Sequence, residues 1–135
     1  PLVFRNLNFD DRFVSYDVYS NVWHQDSHDG NRLVKIFILM EDVDLTTGPF
    51  KFLPWQTVKS NWPKLANRWD MEKMKSLPAF DDEITFTGDK GSYAILDTSR
   101  HMHRGSIPKT SRDMMQITLY PKWRKTKDRK PYVSR

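Results

Sequence analysis

Cysteine is absent from the 135 residues. That removes disulfides and thiolate metal sites together, and leaves any metal to nitrogen and oxygen ligands. Long apolar runs are missing as well. The longest, Ile36-Phe37-Ile38-Leu39-Met40, is far short of the roughly 20 residues that cross a bilayer as a helix, and no signal-peptide pattern opens the chain. The expectation is a soluble, cytoplasmic protein with no membrane span. No internal repeat or low-complexity segment appears, which excludes solenoids and arrays. Acidic residues are in the minority, 17 against 22 Lys and Arg. The excess is concentrated at the C-terminus, where Lys122, Arg124, Lys125, Lys127, Arg129, Lys130 and Arg135 face Asp128 alone. A run of this kind, 122–135, reads as a solvated basic tail, and no nucleic-acid partner is expected.

What is present reads as one domain, 1–135, long enough to bury a core without a disulfide or a structural zinc. The chain opens on Pro1 followed by Leu2, Val3 and Phe4, so it is expected to be part of something longer, lacking an N-terminal portion. Strand patterns recur along it. Phe13 to Tyr19 is rich in aromatic and β-branched residues, Leu33 to Met40 is apolar on both faces except for Lys35, and Phe50 to Leu53 ends at Pro54. Glu83 to Thr87, Ser92 to Asp97 and Met114 to Tyr120 follow, with His101 to Ser106 extended between the last two. The continuous apolarity of Leu33 to Met40 predicts that both of its faces are covered by protein. Ser60-Asn61-Trp62-Pro63 predicts a helix start, and Trp62, Leu65, Ala66 and Trp69 recur at the spacing of one helical face until Pro78. Strands separated by short turns and one inserted helix predict a mainly β fold, an antiparallel sandwich or barrel of jelly-roll type.

Within that frame, Trp23-His24-Gln25-Asp26 stands out. On an extended strand residues two apart share a face, so His24 and Asp26 aim an imidazole and a carboxylate at one point. Alone this is a common chance pattern, equally read as a polar pair at a sheet rim. A third ligand is available in Asp97 to Ser106, which holds His101 and His103, whereas His28 in its polar loop reads as a surface residue. Two histidines and a carboxylate on one face of an octahedron leave three positions open, the arrangement by which non-haem Fe(II) takes a co-substrate and dioxygen. Arg112 follows His103 by nine positions at the start of the last strand. Neighbouring strands lie about 4.8 Å apart, so it can stand beside the metal site and fork to a carboxylate; read on spacing alone, it is a solvated turn residue. Lys35 has two readings. Its ammonium either meets a carboxylate inside the fold or reaches an edge.

These pieces, Trp23-His24-Gln25-Asp26, Leu33 through Glu41-Asp42-Val43-Asp44 to Gly48-Pro49-Phe50, and Gly91 through His103-Arg104-Gly105-Ser106 to Arg112, resemble the phytanoyl-CoA dioxygenase-like Fe(II)/2-oxoglutarate oxygenases. The likeness runs from about Val22 to Lys122. It implies a double-stranded β-helix (jelly-roll, cupin-like) with one inserted helix, and His24, Asp26 and His103 as iron ligands. It also implies Arg112 at the far carboxylate of 2-oxoglutarate, where Ser106 could help it, and Lys35 is counted with them as a candidate co-substrate residue. Fe(II), 2-oxoglutarate and dioxygen would then serve hydroxylation of a small organic or lipid-like substrate. Asp26 argues against a halogenase, in which a small residue replaces the carboxylate. Two features depart from the family: the sequence is expected to begin too late to contain all of the family's helical N-terminal region and early strand, and Trp55-Gln56-Thr57 stands where a Gly-Ser-His turn is usual. The rival readings are a cupin-like metal barrel that uses no 2-oxoglutarate and a non-catalytic binding barrel.

Overall fold

A computed structural model describes residues 2–6, 21–26, 32–60, 68–69 and 81–119. Its elements in chain order are β1 (Leu2–Asn6), β2 (Trp23–His24), β3 (Val34–Leu39), β4 (Phe50–Phe52), α1 (Trp55–Ser60), β5 (Arg68–Trp69), β6 (Ile84–Phe86), β7 (Tyr93–Asp97), β8 (His103–Arg104) and β9 (Arg112–Leu119). The fold is mainly β, as its sequence predicts. All strand pairs are antiparallel and fall into two sheets, β1-β9-β3-β7 and β5-β2-β8-β4-β6. No helix among the described residues is long and apolar enough to cross a membrane.

β3 forms where the apolar run predicts it, and β9 and β7 flank it. Lys35, Phe37 and Leu39 share one face, because side chains alternate along a strand. Phe37 and Leu39 are buried on it and join Val43, Phe50, Leu96 and Met114 in the core between the sheets, with Phe52 and Phe86 packed against them. The Phe37 and Phe50 rings stack across the two sheets with centroids 4.3 Å apart. Burying each such side chain is worth roughly 1.5–3 kcal/mol. The opposite face departs from expectation. Ile36 and Ile38 are only half-buried, and their β7 neighbours Ile95 and Tyr93 are 58 % and 66 % exposed. Among the described strands β7 has one neighbour, β3, so its outer side chains have one neighbouring strand there to lean on instead of two.

The helix also differs. α1 begins directly after Pro54, with Val58 N donating to Pro54 O at 3.0 Å and the Val58 side chain fully buried. Its first turn is tied to the start of β6 by a Thr57 hydroxyl to Asp82 Oδ2 bond of 2.7 Å. The helix predicted from Ser60 towards Pro78 lies mostly outside the described residues, but Arg68–Trp69 is a strand paired with Trp23–His24. Pairing with β2 therefore overrides the helical spacing at Trp69. The strand predicted over Phe13 to Tyr19 and the basic tail 122–135 lie outside the described residues.

Candidate metal centre

Strand pairing brings the site together. His24 and His103 are direct antiparallel partners across β2 and β8, and residues so opposed project from the same face of the sheet. Their ring centroids stand 4.3 Å apart. Asp26, two residues beyond His24, is fixed by its backbone N–H donating to Thr98 O at 2.9 Å. One ligand atom from each of His24, Asp26 and His103 lies within 4.8 Å of the other two. On the alternate face, Trp23 and Gln25 are buried, and the Gln25 amide donates to Arg100 O at 2.8 Å.

Each imidazole is held in one tautomer. His24 Nδ1 lies 2.7 Å from Val22 O and His103 Nδ1 lies 3.0 Å from His101 O. A carbonyl can only accept, so Nδ1 carries the proton and Nε2 keeps its lone pair. This is the form a metal ligand needs, with the outer partner setting ring orientation. His101 is not drawn into the cluster. It belongs to the turn that follows β7, where its backbone N–H and its Nδ1 both meet Asp97 O, and its ring stands edge-on to Phe52.

Burial and the neighbouring His24 push the His103 pKa down to about 3, so the ring is neutral at ordinary pH. Burial acts to raise the pKa of Asp26, yet His103, Lys35 and Thr98 together hold it below the usual carboxylate value. Of these groups, Lys35 makes the direct ionic contact with the carboxylate. Its Nζ lies 2.7 Å from Asp26 Oδ2. Of the two readings of Lys35, the interior one holds.

The depressed His103 pKa has a consequence for the metal-free protein. In the unfolded chain the ring takes up a proton below about pH 6.5, whereas in the folded chain it resists doing so until about pH 3. The unfolded state therefore binds more protons in that window, and stability falls as pH falls through it, by up to about 1.4 kcal/mol per pH unit for one group. Denaturant unfolding between pH 7 and pH 4 in the presence of a chelator is expected to give that slope. His103→Gln should flatten it.

Arg112 lies at the start of β9, 1 % exposed. Burial pushes its pKa down to about 10, with Glu41 acting in the opposite direction, so it remains charged at neutral pH. One guanidinium nitrogen donates to Gly48 O. Gly48 in turn adopts φ +71°, and a Cβ there would lie 2.5 Å from Pro108 N and 2.6 Å from Ser106 O. Arg112 Nε and Ser106 Oγ are buried with no hydrogen-bond partner among the described residues. Buried polar groups are nearly always bonded, so such atoms mark a place for a polar ligand or water.

Sequence reasoning missed Thr98, which is fully buried and ties Leu33 O to the Asp26 backbone through its own N–H, hydroxyl and carbonyl. It also missed Glu41, which accepts from Asp113 N at 2.7 Å beside Arg112. Neither residue has a local spacing signal, because both act on residues distant in the chain.

No family model matches this chain, and no curated protein matches it in sequence. Among solved structures, the fold is similar to that of HygX from Streptomyces hygroscopicus, in an iron-bound and an apo crystal structure. In each case the TM-score is 0.52 at 12% identity, over 90% of this chain and 56% of that one. A non-heme monooxygenase, the ThoJ–Ni complex, is similar over 86% of this chain and 40% of its own, with 14% identity and a TM-score of 0.46. The chain thus spans about half the length of these structures, and at such identity the likeness is one of fold.

Proposed function

We propose that the chain is the β-fold core of a non-haem Fe(II)- and 2-oxoglutarate-dependent oxygenase of the phytanoyl-CoA dioxygenase-like type, hydroxylating a small organic or lipid-like substrate. In this reading the two sheets are the halves of a double-stranded β-helix. The observation that carries the proposal is the convergence of His24, Asp26 and His103, with both imidazoles in the Nε2-ligating tautomer. Two nitrogens, one oxygen and no sulfur suit a borderline divalent metal such as Fe(II). The iron in one HygX structure supports the same assignment by analogy of fold.

Iron bound here would supply dioxygen activation coupled to decarboxylation of 2-oxoglutarate. The protein's own contribution is to bind, orient and keep dry. His24, Asp26 and His103 hold the metal. Phe50, buried with its ring centroid 5.7 Å from that of His103, excludes water from one side of the ligand set. Arg112 takes the far carboxylate of the co-substrate, and Ser106 Oγ assists it. Lys35, held against Asp26, would meet the co-substrate at its metal-binding end.

A second reading has one observation in its favour. Arg112 already donates to Gly48 O, which a purely structural arginine in a 2-oxoglutarate-independent metal barrel would also do. The two readings diverge in 2-oxoglutarate affinity. Charge-assisted hydrogen bonds to a carboxylate are worth about 1.5–3 kcal/mol, so Arg112→Ala is expected to weaken binding on the order of tenfold to a few hundredfold. Iron uptake should be spared. Arg112→Lys keeps the charge, loses the fork and recovers part of the affinity. Calorimetry on the iron-loaded, oxygen-free protein makes the comparison, with melting curves to confirm folding; equal binding by all three forms would favour the second reading.

A further inference from the structure

The two sheets meet ionically at one point of the site. Lys35 projects from the inner face of β3, opposite Leu96 on β7 and Thr118 on β9, and crosses to Asp26 beyond the end of β2. The oxygen it reaches, Oδ2, is also the one 3.6 Å from His103 Nε2. Metal ligands on one ion at about 2.1 Å stand roughly 3 Å apart when mutually adjacent, so this oxygen is the one turned towards the metal position. The Lys35 side chain is 15 % exposed, which limits screening by water.

Lys35 thus holds one positive charge beside the carboxylate oxygen turned towards the metal position. A divalent cation bound there alone would meet a like charge, and an anionic ligand bound beside that cation would meet an opposite one.

We propose that Lys35 is a positioning residue that stands in for the metal at Asp26 and couples metal binding to the anionic co-substrate: it weakens the site for a bare divalent cation and strengthens the loaded site for a dicarboxylate. This rests on the reading of His24, Asp26 and His103 as the metal centre. The metal must share or displace the ammonium at Oδ2, and like charges so close repel. When the dicarboxylate is present, the same ammonium is attracted to it. Coupling of this kind is reciprocal, so the dicarboxylate tightens the metal by the factor by which the metal tightens the dicarboxylate.

The test uses Co(II), a stable substitute for Fe(II), and 2-oxoglutarate, titrated separately and together into the wild type, Lys35→Met, Lys35→Gln and Lys35→Arg. Lys35→Gln retains a donor for Oδ2 without the charge, and Lys35→Arg retains the charge. In both neutral variants Co(II) alone is expected to bind about tenfold tighter or more. In the same variants loaded with Co(II), 2-oxoglutarate is expected to bind roughly tenfold more weakly. Lys35→Arg should behave as the wild type. A merely structural lysine would weaken both ligands together when removed, and that outcome, or an unchanged Co(II) affinity, would overturn the inference while leaving the metal centre intact. Failure of every form, wild type included, to bind Co(II) would overturn the metal centre itself and the inference with it.

Discussion

Replacing His103 with alanine is expected to abolish Fe(II) binding, as are His24→Ala and Asp26→Ala. Loss of an outer partner to a ligand already costs about 10–100-fold in metal affinity, and loss of the ligand itself exceeds that. His103 is the most sensitive of the three because it is 3 % exposed, so water has little access with which to replace the missing nitrogen. His101→Ala serves as the contrast: its Nδ1 is engaged with Asp97 O and its ring packs on Phe52, so the metal site should be unaffected. Anaerobic titration with Fe(II), followed by absorbance or calorimetry, distinguishes the cases. Equal loss in the His101 variant would mean that the distal ligand is misassigned.

A comparable effect, on stability, is expected at Gly48. The backbone there is left-handed, which costs a residue with a Cβ about 1–2 kcal/mol. In addition, the added methyl would lie 2.5 Å from Pro108 N, 2.6 Å from Ser106 O and 2.7 Å from Pro108 Cα. All three are backbone atoms and have no rotamer in which to retreat. Gly48→Ala should therefore destabilise the fold by on the order of 3–5 kcal/mol, read as a lowered denaturant midpoint at unchanged slope. An effect below about 1 kcal/mol would show that the 106–108 segment yields easily. Because Gly48 O receives the Arg112 guanidinium, whatever folded protein remains should also bind 2-oxoglutarate less well.

Legibility in the sequence followed the range of the interaction. β3, β7 and β9 were readable because apolar alternation is local, and the His24–Asp26 pair was readable because a period of two is. The choice of His103 over His101 came from resemblance alone; the turn from Asp97 to His101 that separates them depends on carbonyl contacts invisible in spacing. Trp69 was misread because its helical spacing to Trp62 and Leu65 carries no information about β2, its actual partner. α1 has six residues, too few for a periodic signature. Lys35 was visible as an anomaly, a charge within an apolar run, but its partner lies nine positions earlier on the other sheet.

The strands that carry the two histidines are only two residues long each. So short a ladder has little resistance to sliding, and a slip of one position in either strand would turn its imidazole to the face opposite the other. A metal gripping His24 and His103 across that ladder would act as a rivet through the seam between β2 and β8, so the ion proposed for chemistry would also lock the register on which that chemistry depends.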